Sequence, residues 1–122
     1  MNAEQMESQG IDRTFKRLIV KTGDRRSIVN VKDIDYIEAS GNYVDVHVSG
    51  RRHLIRETMR NLELRLPRAL FIRISRSTFV NLHRITELQR VDPDKYRVHL
   101  TCGDRLAMTR NLGEVQEALK YS

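Results

Sequence analysis

The sequence predicts a mainly β domain of about ten short, mostly antiparallel strands, accompanied by two short helices. Period-2 alternation is the first observation behind this. Val44, Val46 and Val48 share one face while Tyr43, Asp45 and His47 share the other, and Tyr96, Val98 and Leu100 oppose Arg97 and His99. The second is turn chemistry between such stretches, at Thr22-Gly23-Asp24, Ser49-Gly50, Asp92-Pro93-Asp94 and Cys102-Gly103-Asp104. Glycine and proline there supply the unusual or preset backbone angles of tight reversals.

Taken in chain order, strands are expected at 15–21 and 26–31 on either side of the first turn, then at 34–39, 43–48 and 51–56. A helix follows in "TMRNLELRLP", where Thr58 is placed to cap, Met59, Leu62 and Leu66 fall on one face, and Pro67 stops the helix. Strands resume at 71–75, 79–81, 84–91, 95–101 and 105–109. The last segment, "NLGEVQEALKYS", reads as a helix with Asn111 as cap, Glu114 three residues on as in a capping box, and Leu112, Val115 and Leu119 as its apolar stripe. Residues 14–122 make one domain, and residues 1–13 read as a tail or linker remnant.

A composition of 39% hydrophobic and 31% charged residues describes a soluble globular protein. No apolar run approaches the roughly 18 residues of a membrane span. The opening "MNAEQMESQGID" has neither the basic start nor the apolar centre of a secretory signal, so a cytoplasmic location is expected. The single cysteine, Cys102, excludes an internal disulfide and any multi-cysteine metal site, and no cofactor is expected.

Charge is more informative. The formal net charge is +6, and because residues 1–12 hold three acids and no base, the remainder carries +9. Between Arg51 and Arg110, thirteen Arg and one Lys face six acids, a window net of +8. Arginine suits planar, bidentate recognition of phosphate and of guanine edges. A polyanion is the expected partner, with a solvated, salt-bridged surface as the plain alternative.

The segment "FIRISRSTFVN" sharpens the choice. If the strand from Phe71 continued, Arg76 would share the parity of Ile72 and Ile74 and enter the core, where an unpaired guanidinium costs several kcal/mol. The strand is therefore expected to end near Ser75, leaving Arg76 in a loop that Ser75 and Ser77 hold in shape. The alternative is a structural ion pair for Arg76. In "EASGNYVDV", Ser40-Gly41-Asn42 forms a turn with Asn42 and Tyr43 at its tip or exit, suited to an adenine edge and a phosphate oxygen, or serving only as turn residue and strand aromatic. In "MTRNLGE", Thr109, Arg110 and Asn111 precede a helix N-terminus, which favours an anion; capping plus an exposed charge is the other reading.

The segments "DIDYIEASGNYVDVHV", "HLIRETMRNLELRLP", "FIRISRSTFVNLHRI" and "DRLAMTRNLGEV", in that order and spacing, resemble the LytTR-type DNA-binding domain of bacterial response regulators, from about Phe15 to Leu119. The resemblance implies an elongated, ten-stranded, mainly antiparallel fold in which loops enter the grooves of duplex DNA. It also implies promoter sites arranged as imperfect direct repeats and DNA bent on binding. By position, the family's DNA-contacting segments correspond to Asn42 and Tyr43, to Ser75, Arg76 and Ser77, and to Thr109 and Arg110 with Asn111 beside them. Ser75 stands where the family usually has histidine, and Thr109 replaces a serine while keeping its hydroxyl. Such domains are commonly joined to an N-terminal receiver, nothing like which is present here, so an excised effector or a free-standing regulator is expected, monomeric in solution, with two protomers on adjacent repeats.

Arg73, Arg84 and Arg105 are further expected to reach phosphates, on charge and alternation alone. An enzyme is the rival class, but His47, His53, His83 and His99 show no ligand-like spacing and read as exposed strand residues, and no glycine-rich phosphate loop precedes a helix. An oligonucleotide- or RNA-binding β-module needs a stacking platform, for which three Phe, four Tyr and no Trp are few.

Overall fold

Alternation and turn chemistry produce ten strands and two helices among residues 13–122, the part of the protein that its computed structural model describes. The tail expected over residues 1–13 lies outside the described residues except for Arg13. The strands are β1 (Arg17–Thr22), β2 (Arg25–Asn30), β3 (Tyr36–Ser40), β4 (Tyr43–Val48), β5 (Arg51–Ile55), β6 (Phe71–Ser75), β7 (Thr78–Asn81), β8 (Ile85–Asp92), β9 (Lys95–Leu100) and β10 (Arg105–Met108). Helix α1 (Met59–Arg65) joins β5 to β6, and α2 (Leu112–Lys120) closes the chain. Strands β1 and β2 form a ribbon, β5-β4-β3-β7-β6 a five-stranded sheet and β10-β9-β8 a three-stranded one. Every pairing is antiparallel, as the short connections require of all but β3 with β7.

The five-stranded sheet is buried on both faces. Ile37 lies opposite Val46 and Phe79, and this face packs on Leu18, Val20 and Val29 of the ribbon, on Leu62 of α1 and on Leu66 just after it. Tyr36 lies opposite Val80, itself opposite Ile72, and this face packs on Val98, Leu106 and Met108 of the smaller sheet and on Val115 of α2. A one-residue slip would exchange the two faces, so both cores fix the register.

Both helix starts follow the capping expectation in part. The Thr58 hydroxyl accepts from the Asn61 amide at 3.0 Å, and the Asn111 side chain accepts from the Glu114 amide at 3.1 Å. The reciprocal half of the capping box is not made at α2, because the Glu114 carboxylate turns to Arg110 instead.

Other departures have local causes. The strands expected from 34 and 84 begin at Tyr36 and Ile85, since Val31–Asp33 and Leu82–Arg84 are single 3-10 turns. Asn81 fastens these turns together. Fully buried, it donates from its amide to the carbonyls of Lys32 (3.2 Å) and Ile34 (2.8 Å) and accepts from the His83 amide (2.9 Å). The histidines are not uniformly exposed strand residues: His47 is half-buried, stacked on Tyr36 at 4.0 Å with Nε2 3.2 Å from Glu38, and His83 lies in a 3-10 turn. Tyr36 in turn donates its hydroxyl to Asp104 at 2.8 Å; burial first, and then the neighbouring carboxylate, pushes the phenol's pKa up.

Candidate nucleic-acid interface

The three connections singled out in the sequence meet at one end of the five-stranded sheet. Strands β3 and β7 run antiparallel with Glu38 opposite Thr78, which sets the β3–β4 turn beside the β6–β7 turn. The Ala39 amide donates to the Ser77 carbonyl at 2.8 Å, tying the two together. The third connection is fastened to the same place: the amides of Thr109 and Arg110 both donate to the Ile74 carbonyl at 3.0 Å. That carbonyl lies on the sheet's edge strand, where the β6–β7 register shifts between Arg73 and Ser75.

In the β3–β4 turn Gly41 takes φ 61°, and the strand resumes at Tyr43, leaving Asn42 and Tyr43 exposed. The turn opens onto a depression that it shares with Arg56, Glu57 and Met59 at the start of α1.

The β6–β7 turn places Arg76 and Ser77 in solvent and Ser75 at its half-buried base. Two-residue hairpin turns fit the twist of their strands when a central residue has φ above zero, and neither Arg76 nor Ser77 does. Side chains hold this turn instead. The Ser75 hydroxyl accepts from the Ser77 amide at 3.3 Å. Arg73 donates from Nε to the Ser75 carbonyl at 3.1 Å and from Nη2 to the Arg76 carbonyl. Its Nη1 meets Glu63 of α1 at 2.6 Å, and its guanidinium lies 5.5 Å from the centre of the Phe79 ring. The Arg76 guanidinium has no hydrogen bond or ion pair among the described residues, so the structural ion pair weighed for it is not made.

Arg110 is differently placed. Its Nε lies 3.0 Å from Glu114 and its Nη1 donates to the Arg73 carbonyl at 3.2 Å, which fixes the plane of the guanidinium while leaving it partly open to solvent. Arg76, Arg110, Thr109, Ser75 and Arg73 line one shallow depression. Asn111, exposed, spends its side-chain oxygen on the α2 cap.

All eight sequence-predicted site residues are thus gathered at this end, on the β6–β7 hairpin and the two connections bonded to it. Residues 24–120 match the LytTr DNA-binding domain family. The chain belongs to the LytTR family. Its fold is also that of a solved structure, the LytTr DNA-binding domain of a methyl-accepting/DNA response regulator from Bacillus cereus. The two share 21% identity with a TM-score of 0.75, covering 87% of this chain and 97% of that one. No curated protein matches the chain.

In this LytTR domain two of the three arginines assigned to phosphates have protein partners. Arg73 is held by Glu63 and the turn carbonyls, and Arg84 Nε lies 3.3 Å from Asp35. Arg105 remains exposed on β10. Arg56 and Arg60, not singled out from the sequence, are exposed and unpaired among the described residues. Arg56 borders the Asn42 depression, and Arg60 one that continues through Glu63 to Arg73. Helix spacing could not have found both, since Arg56 precedes the Thr58 cap and only Arg60 stands on α1, three residues before Glu63; the charge of the basic window was the available signal. Among the described residues no group of three or more His, Cys, Asp or Glu is placed to hold a metal ion, and no helix is long and apolar enough to cross a membrane.

Proposed function

We propose that this LytTR domain binds double-stranded DNA in a sequence-specific way by inserting its loops into the grooves, as the effector domain of a bacterial transcription regulator. The observation that carries this is the joining of the three connections at one sheet end, with Arg76 unpaired and Arg110 beside it in the same depression. Arg76 reads a base edge, guanine by preference, in a major groove; Arg110 does so in the next groove along, with Thr109 and Asn111 beside it. Asn42 and Tyr43 contact bases or backbone from the third loop, and Ser75 and Ser77 support the Arg76 turn. Arg56 and Arg60 supply phosphate contacts between them. Two protomers that are monomers in solution occupy imperfect direct repeats in a promoter, and in a longer parent chain an N-terminal receiver would control their pairing.

A single-stranded or RNA-binding module fits less well. Among the described residues only Tyr43 and Tyr121 are exposed aromatics, too few for successive bases to stack.

Selection of bound duplexes from a random pool tests this reading: a recurrent motif with two direct half-sites is expected, and recovery of unrelated sequences counts against it. On the selected duplex, log K should fall linearly with log[salt] by about 0.9 per phosphate neutralised. Arg56→Ala and Arg60→Ala should each lower that slope by about one and weaken preferred and random duplexes alike. An unchanged slope removes Arg56 and the start of α1 from the footprint.

A further inference from the structure

We propose that Arg73 is a positioning residue for DNA recognition, holding the β6–β7 turn so that Arg76 projects along one direction, with Glu63 of α1 as its anchor. This rests on the reading that Arg76 contacts a base. Composition places Arg73 among the phosphate-binding cations of a basic window. Geometry takes it out of that set.

A guanidinium has five N–H groups in a rigid fork. On Arg73, Nε is directed to the Ser75 carbonyl, Nη2 to the Arg76 carbonyl and Nη1 to the Glu63 carboxylate. Behind it stands the Phe79 ring, and only 28% of the side chain is accessible. The two carbonyls it grips belong to the peptides on either side of the Arg76 Cα. Their direction sets where the Arg76 Cα–Cβ bond points. The turn needs such a grip because it lacks the glycine or left-handed residue that stiffens the Gly41-Asn42 and Ser49-Gly50 turns.

The same strand supports the second reading arginine, since the Arg73 carbonyl accepts from Arg110 Nη1. One residue thus holds both: through its side chain the turn of Arg76, through its backbone the fork of Arg110. Glu63 does more than neutralise charge here. It fixes the bracket to α1, whose Leu62 is fully buried in the core, so the turn is referenced to the body of the domain and not to itself.

A lysine at this position keeps the charge but offers a single ammonium, which cannot grip two carbonyls and a carboxylate in fixed directions. In the chain as it stands, Arg73→Lys is therefore expected to reduce the preference for the selected duplex over a random one by about tenfold, on the scale of one good bidentate base contact. The salt slope should not change. Added to Arg76→Ala, it should cost little more preference, because the side chain that it positions is gone. Without DNA, the backbone order parameters of Arg76 and Ser77 should drop from the roughly 0.85 of a rigid chain toward about 0.6. Glu63→Gln, whose side chain is exposed and whose replacement leaves the core untouched, should give the same pattern at smaller amplitude.

Full preference with unchanged order parameters in Arg73→Lys overturns the proposal. So does a loss in Arg73→Gln, but not Arg73→Lys, accompanied by a slope lower by about one, which would make Arg73 a phosphate contact. Should Arg76→Ala itself leave the preference intact, the base-contact reading has failed, and the order parameters alone then decide: loosening in Arg73→Lys upholds the bracket, no change overturns it.

Discussion

Asn81→Leu is expected to destabilise the domain by about 3 kcal/mol, with a fall in Tm of roughly 10 °C or more. Asn81 has no exposed surface and makes three bonds to backbone, to the carbonyls of Lys32 and Ile34 and to the amide of His83. Leucine nearly matches its volume but offers neither donor nor acceptor. Each backbone group left unpaired in the interior costs about 1–3 kcal/mol. Against a total stability of about 5–15 kcal/mol this is a large fraction. Thermal and urea unfolding check it; a Tm within about 3 °C of the parent would show that these bonds are replaced by water. The fraction that remains folded should bind DNA normally, because Asn81 ends β7 and the β6–β7 turn lies at that strand's other end.

The second large effect is on recognition. Arg76→Ala should remove about 1–3 kcal/mol of discrimination at one position of the selected duplex while weak, salt-sensitive binding to random DNA persists. Arg110→Ala should do the same at another position and carry an added loss. Its Nε lies 3.0 Å from the Glu114 carboxylate, and removing the guanidinium leaves that negative charge uncompensated toward the phosphates. Random binding should therefore weaken more in Arg110→Ala than in Arg76→Ala, and Glu114→Gln added to Arg110→Ala should abolish that extra loss. Titration of preferred and random duplexes at two salt concentrations separates these outcomes. Equal loss on both duplexes from Arg76→Ala would make that residue a phosphate contact.

Much of the fold was legible because its causes are local. Alternation in Val44–Val48 and Tyr96–Leu100 survives as buried and half-exposed faces, and the glycine turns at 23, 41, 50 and 103 all take positive φ. Thr58 and Asn111 cap the helices that their spacing announced. The parity argument at Ile72 and Ile74 correctly ended β6 at Ser75 and put Arg76 in solvent. Long-range pairings were not legible. Nothing near Arg73 in sequence indicates that Glu63, ten residues earlier, would take its guanidinium, nor that Asp35 would take Arg84. Charge counting treats such arginines like Arg76, and only tertiary placement separates a cation spent on the protein from one available to a partner. Asn81 was hidden for the same reason: a polar residue at the end of an apolar strand reads as a turn signal, and its two acceptors lie 49 and 47 residues away.

The most direct test of a single DNA-binding end is amide chemical-shift mapping of the domain titrated with its selected duplex. The expected result is a continuous set of perturbed residues covering 40–43, 75–77 and 109–111 together with Arg56 and Arg60, while the outward residues Ile19 and Ile28 of the β1–β2 ribbon, 62% and 59% exposed, stay unmoved. A footprint centred on that ribbon, with the three connections unperturbed, would contradict it.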